Sequence, residues 1–269
     1  MELIDHTLKL NGRLLQDAKA TTAVDFCGEA LESADLVIIR SSGIQLTQYT
    51  NGKNEHIVEQ TSHVSINGDG LVQQFIPFNR QVSEPIPGSW EGIKDLRSRA
   101  IVINFENCGR LSKKAEHFVS ACEKTFDTAE VFTGIHQNEE SLSYWHKFSE
   151  SQIQIAEKII RCLTSTYQVK YILGNEEVCP GLKTDPGPAF PLEILRRKVI
   201  RESRLFGLDN SMELNIANRF DLNTILGRQH QSDEQGKDAK IVNIRKKSGG
   251  WYKVNIDLGG FIKEEWVSI

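Results

Sequence analysis

No stretch of this chain approaches the roughly 18 to 20 consecutive apolar residues that a membrane span needs, and the opening MELIDHTLKL lacks a basic region followed by an apolar run. Neither a membrane span nor a secretory leader is expected, so the expected location is cytoplasmic. Positive charge is not in excess either. The 32 Lys and Arg residues stand against 36 Asp and Glu, for a net charge of -4 and a pI near 6.0, whereas surfaces that bind nucleic acid are strongly basic. Nucleic acid is therefore not expected as a partner. Five cysteines, Cys27, Cys108, Cys122, Cys162 and Cys179, are odd in number and never form C-x-x-C. That argues against a disulfide framework and a sulfur-ligated zinc site, and for reduced thiols in a core. Internal repeats, heptads and low-complexity tracts are also missing.

What the chain does contain is enough apolar residue, 39% with 20 glycines besides, to bury a core across 269 residues. Short β-branched runs of strand length recur: LVIIR at 36–40, HVSI at 63–66, LVQQFI at 71–76, AIVINF at 100–105 and VKYIL at 169–173. Between the last two, Ile153, Ala156, Ile160, Leu163 and Tyr167 keep the spacing of one buried helix face, and Ser149 with Gln152 makes a capping box at its start. A helix feeding a strand and then a Gly/Pro-rich loop predicts an α/β domain, a mixed central sheet flanked by helices, over residues 1–205. The hairpin INGDGLVQQF makes the sheet mixed rather than wholly parallel. A basic helix follows, and its Arg196, Arg197, Lys198, Arg201 and Arg204 are read as a solvated face. Residues 211–269 show no helical pattern, and AKIVNI, GGWYKVNI and GGFIKEEWVSI alternate with a period of two, predicting a small all-β domain with a loop at 227–240.

Several segments together carry a family resemblance: LIDHTLK, LVIIRSSG, SHVSINGDGLVQQFIPFNR, SWEG, AIVINFENCGRL, YWHKFSESQ and above all GLKTDPGPAFP, whose repeated Pro and Gly fix an irregular loop. Residues 1 to about 200 resemble the zinc-dependent N-acetylmuramoyl-L-alanine amidases of type 2, which share a fold with the peptidoglycan recognition proteins. Residues 211–269, on ELNI, GGWYKV and GFIKEEWV, resemble a bacterial SH3-like barrel.

The resemblance implies a catalytic zinc with three protein ligands, two His and one Asp, and an open position for water, assisted by a Glu and a Lys. The residues at those positions depart from it. Gapless matching puts Ile39 at the first histidine and Asn175 at the second, keeps Asp185 as the third ligand with Lys183 beside it, and puts Asn104 where the Glu belongs. Glu84 stands at a further histidine that lines the substrate groove in the family. Isoleucine donates no lone pair and a neutral amide suits zinc poorly, so zinc is expected to be absent and no catalytic residue is assigned; Asn104 and Lys183 are remnants. The candidate replacement ligands are His63, Glu84, Glu176, Glu177 and Cys179, of which His63 and Cys179 are expected to be packing residues. With Ile39 facing the pocket, alternation turns Arg40 to the opposite face of the sheet. Asp185 is expected to pair with Lys183 or with loop amides.

These residues imply a pseudoenzyme: an amidase-like protein whose groove of Ile39, Glu84, Asn104, Asn175, Lys183 and Asp185 holds a muropeptide, another peptidoglycan fragment or a different ligand by shape and hydrogen bonding. A protein partner in a larger assembly is the other expected role, with Trp251, Tyr252 and Trp266 either anchoring it or filling the barrel core. The alternative is a residual amidase with a rearranged site, although no Ser-His or Cys-His pairing at suggestive spacing supports it.

Overall fold

The computed structural model describes residues 1–10, 13–14, 28–43 and 61–205, and beyond them the backbone of the strands at 231–232, 238–248, 251–257 and 262–268. In chain order a small meander comes first: β1 (Glu2–Ile4), β2 (Thr7–Leu10) and β3 (Arg13–Leu14). Then come β4 (Leu36–Ser41), β5 (Val64–Ile66), β6 (Val72–Gln74) and β7 (Ala100–Phe105). An antiparallel insert follows, made of β8 (Arg110–Lys114), β9 (His117–Ser120), β10 (Thr125–Phe126), β11 (Val131–Ile135) and β12 (Leu142–His146). The chain continues with helix α1 (Glu150–Thr166), β13 (Tyr171–Gly174), the single turn α2 (Asn175–Val178) and helix α3 (Leu192–Leu205).

The central sheet has the order β13-β4-β7-β5-β6, with β6 alone antiparallel to its neighbour, so the sheet is mixed. Its middle strands read as unbroken apolar runs because both faces are covered. On one face Val37, Ile39, Ile101 and Ile103 pack against Ala156, Ile159, Ile160 and Leu163 of α1 and Leu195 and Val199 of α3. On the other, Leu36, Ile38, Ala100 and Val102 pack against Ile76, Val82, Ile86, Trp90, Leu96, Val178 and Cys179.

The capping box expected of Ser149 and Gln152 is formed, and both residues do more than cap. Ser149 Oγ donates to Gly68 O at 2.6 Å, and buried Gln152 Nε2 donates to Ile66 O and Glu106 O at 3.2 and 3.1 Å. The helix start thereby clamps the β5–β6 hairpin to the end of β7. The hairpin turn is held by Asn67, whose Oδ1 accepts the N–H groups of Asp69 and Leu71 at 3.0 and 2.9 Å.

The insert was not legible as a sheet. Its strands have the order β10-β9-β8-β12-β11 and enclose a small core of Cys108, Leu111, Phe118, Phe126 and Val131. Toward the C-terminus, β14 (Gln231–Ser232), β15 (Asp238–Ser248), β16 (Trp251–Asp257) and β17 (Ile262–Ser268) form an antiparallel sheet in chain order. The side chains of Trp251, Tyr252 and Trp266 lie outside the described residues, as does most of the loop expected at 227–240. No helix among the described residues is long and apolar enough to cross a membrane.

His63 illustrates how completely the sheet is sealed. It is fully buried; its Nδ1 accepts the Val102 N–H at 3.0 Å and its Nε2 donates to Arg80 O at 2.8 Å, so both ring nitrogens serve backbone. Burial, aided by the charge of Arg40, holds its pKa down to about 4. Unfolded, the same ring titrates near 6.5. The unfolded chain therefore takes up the proton first, and stability falls as pH drops from 6.5 toward 4, by up to about 3 kcal/mol for this ring. Urea unfolding at stepped pH is expected to show that loss. His63→Gln, which can satisfy both backbone groups without titrating, should flatten part of it, His146 (pKa also about 4) supplying the remainder.

Candidate functional site

The carboxyl ends of parallel strands are where loops converge and where binding residues gather in open α/β sheets. Here the ends of β4, β7 and β13 run in register, with Arg40 opposite Asn104 and Ile39 opposite Gly174. Side chains alternate faces along each strand. Arg40 and Asn104 therefore share the face of Ile38 and Val102, while Ile39 shares that of Val37 and Ile103.

This corrects the sequence reading of the first strand. Ile39 is wholly buried in the cluster under α1 and lines no groove. Arg40, expected on the far face, is the residue that reaches the site: its guanidinium donates to Thr61 Oγ and lies within electrostatic reach of Asp185 and Glu84. Burial pulls the Arg40 pKa down, and the Asp185 and Glu84 carboxylates oppose that pull. A usable signal was present, since the run LVII is what a doubly covered strand looks like and Arg40 is its first polar residue.

Asp185 lies at the middle of the site. Its Oδ2 accepts the Ser41 N–H at 3.0 Å, and Asn175 Nδ2 lies 3.1 and 3.2 Å from its two oxygens. The Asp185 carbonyl also accepts the Glu176 N–H at 2.8 Å, and the bond to Pro186 is cis. Burial pushes the Asp185 carboxyl above the usual range, against the Ser41 and Asn175 hydrogen bonds and the charge of Lys183. Of the two partners expected for Asp185, amides hold it, while exposed Lys183 acts through space. Asn104 is buried and donates from Nδ2 to Ser65 Oγ at 3.1 Å, across the strand pair. Glu84 is exposed. The structure thus brings Asn175 and Asp185 together within electrostatic reach of Arg40, leaves Asn104 buried on the strand beside Arg40 and bonded to Ser65, puts Glu84 and Lys183 at electrostatic range, and takes Ile39 away.

The other candidate ligands have structural duties. Besides His63, Cys179 is buried against the apolar side of the sheet, where burial pushes its thiol pKa up. Glu176 and Glu177 anchor the loop on opposite sides. Glu176 Oε2 accepts the Gly187 N–H at 2.7 Å and His136 Nε2–H at 3.1 Å, and Oε1 accepts from Gln137 Nε2 at 3.1 Å. Asn138 Nδ2 adds a bond to Glu176 O at 3.0 Å, so the insert is tied to the loop. The Trp145 ring lies so close over Gly187 that a Cβ there would sit 2.6 Å from it, and φ of +76 suits only glycine comfortably.

Glu177 Oε2 accepts the Gly174 N–H at 2.7 Å and pairs with Arg196, whose Nε donates to Ile172 O at 2.7 Å and whose other nitrogen pairs with Glu193. Arg196 was expected on a solvated face and is instead buried. The reason is a fixed ion pair: burial opposes its charge, and Glu177 and Glu193 more than offset it. His136, Gln137 and Arg196 carried no local signal, because their partners lie far along the chain.

No protein-family model and no curated protein matches the sequence significantly. Solved structures similar to it include a selenomethionine derivative of AmpD, 17% identical over 73% of this chain and 98% of that one, with a TM-score of 0.44. The N-acetylmuramyl-L-alanine amidase AmiD from E. coli, in complex with anhydro-N-acetylmuramic acid-L-Ala-D-gamma-Glu-L-Lys, is 17% identical over 73% of this chain and 65% of that one, TM-score 0.45. The endolysin amidase LysCS from Clostridium intestinale is 18% identical over 62% and 84%, TM-score 0.40. With TM-scores below 0.5, the functional reading rests on this chain's own residues.

Arg196→Met is expected to cost about 3 to 5 kcal/mol, because it strands a buried carboxylate. Arg197→Met, at an exposed position of the same helix, should stay within about 0.5 kcal/mol. Urea unfolding of the two variants measures the contrast.

Proposed function

We propose that this chain is an amidase-like pseudoenzyme: it keeps the loop geometry of the amidases, does without zinc and catalysis, and binds a peptidoglycan-derived fragment. The observation that carries this reading is the Asn175 amide nitrogen set against both oxygens of Asp185, with the Arg40 guanidinium on the same side of the sheet. A zinc site needs lone pairs from imidazole, thiolate or carboxylate aimed at one point. Here Asn175 directs its N–H at the Asp185 carboxylate and Arg40 brings a positive charge, so these residues do not fit a divalent cation. Asn104, whose amide donates to Ser65, does not titrate and so cannot serve as the acid or base that a Glu would.

What the groove retains suits recognition. Asp185 and Arg40, both part-exposed, with the exposed Lys183 and Glu84, offer donors, acceptors and charges of both signs, which a muropeptide with its amides and carboxylates can meet, while Asn104 and Asn175 hold the frame beneath them. A hydrolase with a rearranged site would need a different ligand set; among the described residues no group of three or more His, Cys, Asp or Glu is placed to hold a metal ion. We extend the proposal to the architecture: residues 1–205 are the amidase-like unit and 211–269 an appended SH3-like domain, supported by strand alternation and the antiparallel order β14-β15-β16-β17.

The purified chain is expected to carry zinc well below one ion per molecule, to release no peptide from a muramyl-peptide substrate, and to give heat on calorimetric titration with muropeptides. Arg40→His combined with Asn175→His should raise zinc occupancy to stoichiometric by completing a His, His, Asp set. Stoichiometric zinc in the unaltered protein, with turnover abolished by Asp185→Ala, would overturn the pseudoenzyme reading. Absence of heat and of any thermal shift with muropeptides would move the ligand from a peptidoglycan fragment to a protein partner, to be identified by co-purification.

A further inference from the structure

Cys108 and Cys122 lie at the same end of the β8–β9 hairpin of the antiparallel insert. The β8–β9 hairpin pairs Lys114 with His117 and Leu111 with Ser120. The residues just outside that ladder, Cys108 before it and Cys122 after it, therefore return to the same end. The turn carrying Cys122 is closed by Ser120: its N–H donates to Lys124 O at 2.9 Å, its carbonyl accepts the Glu123 N–H at 3.0 Å, and its Oγ accepts the Lys124 N–H at 3.2 Å. Cys122 Sγ lies 3.1 Å from Ser120 Oγ, and Cys108 and Cys122 are close enough that each thiol shifts the titration of the other. Cys108 is buried with Leu111, Phe118, Phe126 and Val131, and half-buried Cys122 packs against that cluster from the solvent side.

We propose that Cys108 and Cys122 form a redox-active dithiol that closes to an intramolecular disulfide by exchange with a low-molecular-weight disulfide such as glutathione disulfide. Cys122, having given its proton to solvent, attacks one sulfur of the small disulfide; that S–S bond breaks, one thiolate leaves and is protonated, and a mixed disulfide remains on Cys122. Cys108 then loses its proton and attacks Cys122 Sγ, and the second small thiol leaves. Two protein thiols are oxidised to one disulfide and one small disulfide is reduced to two thiols.

The environments of the two sulfurs suit these separate roles. Burial works to raise the Cys122 pKa, but hydrogen bonds from Ser120, the Lys124 backbone and Cys108 outweigh it and hold the thiol below its ordinary value, as an attacking thiol requires. Cys108 is pushed up to about 11 by burial and then by the charge of Cys122. That second contribution disappears once Cys122 is held in a mixed disulfide, while the opposing charge of Lys124 stays. His146 Nδ1 accepts the Cys108 backbone N–H at 3.2 Å and fixes the main chain beneath the buried sulfur.

The test uses the full chain in glutathione buffers of graded ratio, quenched by alkylation, with peptides read by mass spectrometry. Oxidising ratios are expected to give a peptide linked through Cys108 and Cys122, reversed by dithiothreitol, with Cys162 and Cys179 alkylated throughout. Cys108→Ser should stop at a glutathione adduct on Cys122, and Cys122→Ser should leave Cys108 unmodified. The proposal fails if the unaltered protein itself stops at the Cys122 adduct, if another cysteine takes the place of either partner, or if Cys122 stays unmodified at ratios that oxidise a free thiol control.

Discussion

Two consecutive buried carboxylates, Glu176 and Glu177, hold the loop that everything at the site depends on. They pull in opposite directions: Glu176 toward the insert through His136 and Gln137, and Glu177 toward α3 through Arg196. A buried carboxylate is costly unless donors surround it, and each of these has a backbone N–H, from Gly187 or Gly174, as well as side-chain partners. Burial and the nearby Glu177 charge push the Glu176 carboxyl up, and His136 and Gly187 work against that. The arrangement spends polar groups on fixing a loop, which places Asn175 and Asp185 one against the other at the end of β13.

Charge at the site follows from that placement. Asp185 has amide partners on Ser41 and Asn175, and the cationic groups within electrostatic reach are Arg40 on the neighbouring strand and Lys183 in the same loop. A carboxylate flanked by amides and organic cations has its charge balanced by the protein itself.

Much of the central sheet was legible because its signals are local. The runs at 36–40, 63–66 and 100–105 became β4, β5 and β7, Ser149 and Gln152 cap α1, and the Asn67 turn joins the expected hairpin. Ile153, expected on the buried face of α1, is only partly covered, and Ile159 is fully buried. The insert was less legible because its strands are short, and RLSKK buries only Leu111 while HFVS spans four residues.

Sequence by itself determined which functional groups are available: no repacking can make an imidazole of Asn175 or a carboxylate of Asn104, and Asp185 is the one carboxylate present at the three positions matched to metal ligands. Tertiary structure decided which neighbours those groups meet. It gave the site Arg40 in place of Ile39, because side chains alternate along a strand and a shift of one residue exchanges the faces. It also buried Arg196 and recruited His136, since their partners Glu177 and Glu176 are remote in sequence and only the packed sheet, helix and insert bring them within hydrogen-bonding distance.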